Sequence, residues 1–241
     1  MHVFTAEDPI EQQNTPRSGS KKPLLIFAGL VLFLIAIFLG LPLLLEPTSP
    51  PKEVFISNVT ERQATVSWIT AKPTKGAVKI NGKTILDDGD KDKNSQGFYA
   101  THHVTIPDLS ANQNYKFEIY QGWKKVYKGT FVTVGTLETI NTPEPIYGKI
   151  VDSTNKPQVG VIVYFTGKTE GRQSALYSTL TNNDGNWQLD LANIRSLGLK
   201  TSFTFSKNSV QDVVVQTGIK GKFTAATDMN NDQPWPDIII K

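Results

Sequence analysis

Ala64-Thr65-Val66-Ser67-Trp68-Ile69 sets Ala, Val and Trp on one face and Thr, Ser and Ile on the other. That period of two marks a strand with one buried face. Outward from it the same grammar repeats. Gly76, Val78 and Ile80 alternate before Asn81-Gly82, a tight-hairpin dipeptide. Val104 and Ile106 precede a Pro107-Asp108 turn, and Tyr115, Phe117 and Ile119 share one face. Gly122 sits in a further turn, and Tyr127 to Val134 closes the set. Short strands without a helical period predict a β-sandwich over residues 52–136.

A second series follows residues 137–145, whose prolines predict a stiff linker. Val159, Val161, Val163 and Phe165 alternate, Asn183-Asp184-Gly185 reads as a hairpin turn, and Trp187, Leu189 and Leu191 alternate after it. Strands are expected at Thr201 to Phe205, Val210 to Gln216 and Asp237 to Ile240, with one helical turn within Leu191 to Leu197.

Leu24 to Leu45 is an uncharged run of 22 residues. As a helix it would span about 33 Å, enough for a bilayer core of about 30 Å. Arg17, Lys21 and Lys22 precede it, which predicts a cytoplasmic N-terminus and an outer C-terminal portion. The run is longer than a secretory signal and lacks a small-x-small site. Residues 1–22 read as a disordered tail, 23–45 as the transmembrane helix, 46–51 as a linker and 146–241 as the second sandwich. The expected fold class is thus an all-β ectodomain of two tandem β-sandwiches after one N-terminal transmembrane α-helix. The expected location is the cell membrane, single-pass, in a bacterial envelope, with lipid contacted through Leu24 to Leu45.

Val66-Ser67-Trp68 and Leu109-Ser110-Ala111-Asn112-Gln113-Asn114-Tyr115 resemble a fibronectin type III domain, with Tyr115 in the place of its tyrosine corner. His103-Val104-Thr105-Ile106 is similar to the variant at the N-terminus of purple acid phosphatases. Gly148-x-x-x-Asp152, Pro157-x-x-Gly160-Val161-x-Val163 and Thr181-x-x-Asp184-Gly185-x-Trp187 resemble a carboxypeptidase regulatory-like domain, which implies a transthyretin-like sandwich. The first resemblance raises a metallophosphatase reading, but such an enzyme needs several Asp, His and Asn ligands for two metal ions. No catalytic domain is expected to follow, so the module is expected to be a spacer or binding unit. The second resemblance implies a non-catalytic role in folding, spacing or surface binding.

The composition narrows the chemistry. There is no cysteine, so neither a disulfide nor a thiol nucleophile is available, and the net charge of +3 is dispersed rather than gathered for nucleic acid. Of three histidines, His102 and His103 are adjacent on a strand and point to opposite faces, so they cannot chelate one ion together. His102 is expected to be partly buried and His103 solvent-facing. Asp88, Asp90 and Asp92 read as an exposed loop. Asp228-Met229-Asn230-Asn231-Asp232 begins like a calcium loop, but Gln233 and Ile239 occupy its glycine and glutamate positions. A Lys149 to Asn crosslink lacks its partner on the last strand. No histidine is expected to serve a serine. Asn58-Val59-Thr60 is a formal glycosylation sequon.

Trp123, between Gly122 and Lys124, and Trp235, between Pro234 and Pro236, are the candidate ligand contacts, able to stack on a sugar or to cap a sandwich end. The residues name no catalytic, cofactor-binding or metal site. The expected function is a membrane-anchored, non-enzymatic presenter of β-sandwiches to surface proteins or polysaccharides. The second reading is an accessory subunit of a membrane-bound enzyme or secretion complex.

Overall fold

The computed structural model describes residues 29–39, 47–93, 95–138 and 142–241. The chain divides at Leu45 and Glu46 into two units.

In the first unit the described helix covers residues 29–39. Eleven residues at about 1.5 Å each reach about 16 Å, half of a bilayer core. Among the described residues no helix is long and apolar enough to cross a membrane. This overturns the expected transmembrane helix, and with it the single-pass location and the lipid partner. The rest of the Leu24 to Leu45 run, the expected tail over residues 1–22 and linker residues 139–141 lie outside the described residues.

The second unit is built from strands. A three-stranded sheet has the order β1 (Lys52–Ser57), β2 (Ala64–Thr74), β5 (Tyr99–Ile106). A four-stranded sheet has the order β4 (Lys83–Leu86), β3 (Ala77–Ile80), β6 (Asn114–Gln121), β7 (Lys124–Val132). Their facing residues form one core that includes Val66, Trp68, Val78, Val104, Phe117 and Ile119. The β3–β4 hairpin turns at Asn81 and Gly82, both at positive φ, as the Asn-Gly pair predicts. The Tyr115 hydroxyl accepts the Ser110 N–H at 2.8 Å, which ties down the loop before β6. The segment expected to link freely before β1 is held: Ser49 N–H donates to Gln121 Oε1 at 2.8 Å, and Gln121 Nε2 returns a bond to Ser49 O at 2.6 Å.

The second core lies between two further sheets. One has β8 (Pro145–Asp152) flanked by β12 (Asn186–Asp190) and by β15 (Ile238–Ile240), the last parallel to β8. In the other, β9 (Ile162–Thr169) pairs on one side with β10 (Arg172–Gln173) and β11 (Tyr177–Leu180). On its other side it pairs with β13 (Val210–Gln216), which pairs with β14 (Lys222–Asp228). Pro145 belongs to β8 rather than to the linker, Thr201 to Phe205 forms no strand, and Leu191 to Leu197 holds turns in place of a helical turn.

The residues behind the transthyretin-like resemblance have local explanations. Gly148 leaves room for Trp235, whose Cβ would lie 2.8 Å from a Cβ added there. Gly160 and Gly185 take φ of +66° and +76°, the left-handed region that suits glycine. The Asp152 carboxylate accepts Thr154 N–H at 2.9 Å and Lys156 N–H at 3.1 Å. Turn chemistry of this kind serves any antiparallel sandwich.

Candidate functional site

The site arises where one sandwich covers the other. Along β2, Ala64, Val66 and Trp68 point into their core, so Thr65 and Ser67 face outward. Both are nevertheless fully buried, because Tyr164 and Ser178, paired across β9 and β11, lie against them. Ser67 Oγ and Tyr164 Oη are 2.8 Å apart, and Phe55 meets the Tyr164 ring edge-on at 5.3 Å. Burial pushes the Tyr164 hydroxyl up to about 12, against the opposing bond from Ser67. At the margins Thr101 Oγ1 donates to Gly160 O at 2.6 Å, and Gln216 Nε2 donates to Glu53 Oε2 at 2.7 Å. The buried Arg195 guanidinium reaches Glu61 Oε2 at 3.1 Å and Gly135 O at 2.8 Å.

Inside this seam the adjacent histidines meet adjacent aspartates. Strand alternation sends His102 into the core, where it stacks on Trp68 with ring centroids 4.7 Å apart and has Asp87 Oδ2 at 3.0 Å from its Nδ1. His103 points the other way. The expectation of a solvent-facing His103 fails because the second sandwich covers it, leaving 4% exposed. Its Nδ1 is 2.6 Å from Asp88 Oδ2, and its Nε2 is 2.9 Å from Ser178 Oγ. Ser178 Oγ is in turn 2.6 Å from Ser57 Oγ.

Asp88 starts a short 3-10 turn, Asp88–Asp90, and Thr105 holds its carboxylate through N–H at 3.1 Å and Oγ1 at 2.7 Å. Burial raises the Asp88 carboxyl, but hydrogen bonds and charge from His103, with Lys91 and Thr105, outweigh it and hold the group well below the usual carboxylate range. Asp88 Oδ2 accepts from His103 Nδ1–H, and in the tautomer with no proton on Nε2 that nitrogen accepts from the Ser178 hydroxyl while Ser178 Oγ accepts from Ser57. Within the loop expected to be exposed, Asp88 is therefore an anchor, whereas Lys91, Asp92 and Lys93 are exposed. Asp90 is also buried, its Oδ1 accepting from Tyr99 Oη at 2.6 Å and from Gly97 N–H at 2.9 Å.

Serine, histidine and aspartate in this order form the arrangement that acyl-transfer chemistry uses. Its acyl position is already filled. Ser178 N–H, the donor that would hold an oxyanion, bonds to Asn58 Oδ1 at 2.9 Å, and Asn58 Nδ2 donates to Ser178 O at 2.8 Å. The side-chain amide thus pairs with β11 as a strand would and closes its edge. Asn58 Nδ2 also donates to Thr65 Oγ1 at 3.0 Å, so both amide protons are engaged and the sequon nitrogen is committed to the seam. A cleft of about 670 Å³, lined in part by Asp88, Tyr99, His103, Ser178 and Asn182, opens beside the relay.

The sequence-derived candidates lie elsewhere. Trp123 is 58% exposed in the turn between β6 and β7. Trp235 is 2% exposed, packs edge-on against Trp187 and donates from Nε1 to Gln211 Oε1 at 2.9 Å, which leaves no ring face for a sugar. In the calcium-like stretch Asp228 Oδ1 accepts from Asn230 N–H at 2.8 Å, and Asp232 turns inward to Gln211 Nε2 at 2.5 Å. Among the described residues no group of three His, Cys, Asp or Glu side chains is placed to hold a metal ion. Asn58, Asp88, His103 and Ser178 escaped the sequence reading; the two consecutive Asp answering two consecutive His was the one signal available.

The sheet orders β1-β2-β5 and β4-β3-β6-β7, with the Tyr115 tie, define a fibronectin type III-like sandwich in the first half. Among solved structures the chain is similar to the first three fibronectin domains of chicken CNTN1, at 14% identity and a TM-score of 0.28, over 79% of this chain and 68% of that one. It is similar also to the central fibronectin-III array of RIM-binding protein, at 12% identity and a TM-score of 0.28, over 75% of this chain and 63% of that one. The third is the group B streptococcus pilus 2b backbone protein, at 10% identity and a TM-score of 0.25, over 79% and 97%. No family model and no curated protein matches the chain. The expected transthyretin-like sandwich over residues 146–241 has no support, since no family model matches the chain and local turn geometry accounts for the residues that suggested it.

Proposed function

We propose that the chain is a non-enzymatic contact scaffold, in which sandwiches over residues 52–136 and 146–241 act as one rigid unit that binds protein or polysaccharide. The observation that carries this reading is the seam. Ser67, His103 and Ser178 are polar, buried and bonded from one sandwich to the other, which opposes independent swinging. The filled acyl position argues against turnover of an outside substrate, because Asn58 occupies the N–H that such a substrate needs. Trp123 is the contact residue proposed, since an exposed tryptophan at a turn offers a large rigid face.

The full chain should bind a component of a panel of immobilised neutral and acidic polysaccharides and purified proteins. Trp123→Ala should weaken that binding about tenfold with little change in Tm. Multiple turnover of p-nitrophenyl acetate above the rate of Ser178→Ala would instead make the chain a hydrolase.

A further inference from the structure

We propose that the Asp88–His103–Ser178 relay acts once on the chain's own Asn58 and joins the two sandwiches by an ester. The inference deepens the rigid-scaffold reading and rests on the same seam. Three observations converge on it. Ser178 Oγ has a base, His103 Nε2, at 2.9 Å. Asp88, fixed by Thr105, holds that imidazole from its other nitrogen at 2.6 Å. The amide of Asn58 is seated on Ser178's own N–H through Oδ1 at 2.9 Å, the contact that stabilises charge developing on an acyl oxygen.

The step balances without a co-reactant. The Ser178 hydroxyl proton passes to His103 Nε2 as Oγ forms a bond to Asn58 Cγ, and the negative charge rests on Oδ1 against Ser178 N–H. Collapse breaks Cγ–Nδ2, and His103 returns the proton to the departing nitrogen, which leaves as ammonia. The net change is a serine hydroxyl and an asparagine amide converted to an ester and ammonia.

The nucleophile and its base are buried, and Asn58 and Asp88 are half-buried beside them. Ser178 is 3% and His103 4% exposed, so the attacking hydroxyl and its base are largely desolvated. Holding nucleophile and amide in one seam replaces a bimolecular encounter, worth effective concentrations of about 10⁵ M or more, and loss of ammonia to solvent draws the exchange forward. Asp88 is a positioning residue, whereas Ser178 and His103 touch the reacting atoms.

Intact-mass spectrometry of the purified full chain, held at neutral pH, tests this. The expected mass is about 17 Da below that of the sequence, the loss of one ammonia by acyl transfer to a serine. After trypsin, the peptides over residues 53–62 and 173–195 should be recovered joined, and hydroxylamine should separate them as it does an ester. Ser178→Ala and His103→Gln should keep the full mass, and Asp88→Asn should slow the loss. A wild-type chain of full mass with the two peptides separate overturns the proposal, and so does a loss that persists in Ser178→Ala. The wild-type map needs no variant to fold, and the mass is read independently of whether any polysaccharide or protein binds.

Discussion

Replacing Trp235 by alanine is expected to lower stability by about 3–5 kcal/mol, the range for removing a large buried aromatic side chain. Trp235 is 2% exposed and packs on Trp187 inside the core closed by β8, β9 and β13. Its loss also strips Gln211 Oε1 of its Nε1–H donor in a buried chain that continues to Asp232. Trp123→Ala should cost less than about 1 kcal/mol, as exposed substitutions do. Urea unfolding followed by the remaining tryptophans separates the two. Equal, small effects would mean that Trp235 is a surface residue after all.

Removing His103 should be the most damaging change in the seam. His103→Ala leaves Asp88, whose side chain is 14% exposed, without its imidazole partner, and takes the acceptor from the Ser178 hydroxyl. Breaking one partner of a buried pair costs about 3–5 kcal/mol. The pH dependence has a definite sign. A carboxyl depressed in the folded state contributes stability that is fully present above the ordinary carboxylate value of about 4 and is lost as pH falls through its lower folded value. Asp88 is depressed in this way, so wild-type stability should decline below about pH 4, and His103→Ala should flatten that part of the curve. Urea midpoints between pH 2 and 7 measure both. A variant as stable as wild type across that interval would mean that the Asp88–His103 contact contributes nothing.

What was legible along the chain was what depends on near neighbours. The Ala64-Val66-Trp68 face, the Asn81-Gly82 hairpin and the Tyr115 tie are local devices, and each reappears in the folded chain. The seam was not legible, because alternation says which side chains oppose the core and not what covers them. Thr65, Ser67 and His103 read as the wet side of a sheet, and only the arrival of β9 and β11, about a hundred residues later in the chain, makes that side dry. Leu24 to Leu45 misled for a related reason. Apolar length sets how far a helix could reach, whereas among the described residues the helix covers residues 29–39. Asn58-Val59-Thr60 reads as a sequon because a three-residue pattern carries no record of where the Asn58 amide is bonded.

The central claim is that the two sandwiches move as one body. The chain has no cysteine, so Lys128→Cys on β7 and Asn186→Cys on β12, both exposed, give two clean sites for spin labels. Pulsed dipolar distance measurement on the full chain is predicted to give one narrow distribution, no broader than label rotamers alone produce. A broad or multimodal distribution in the otherwise unaltered chain would contradict it.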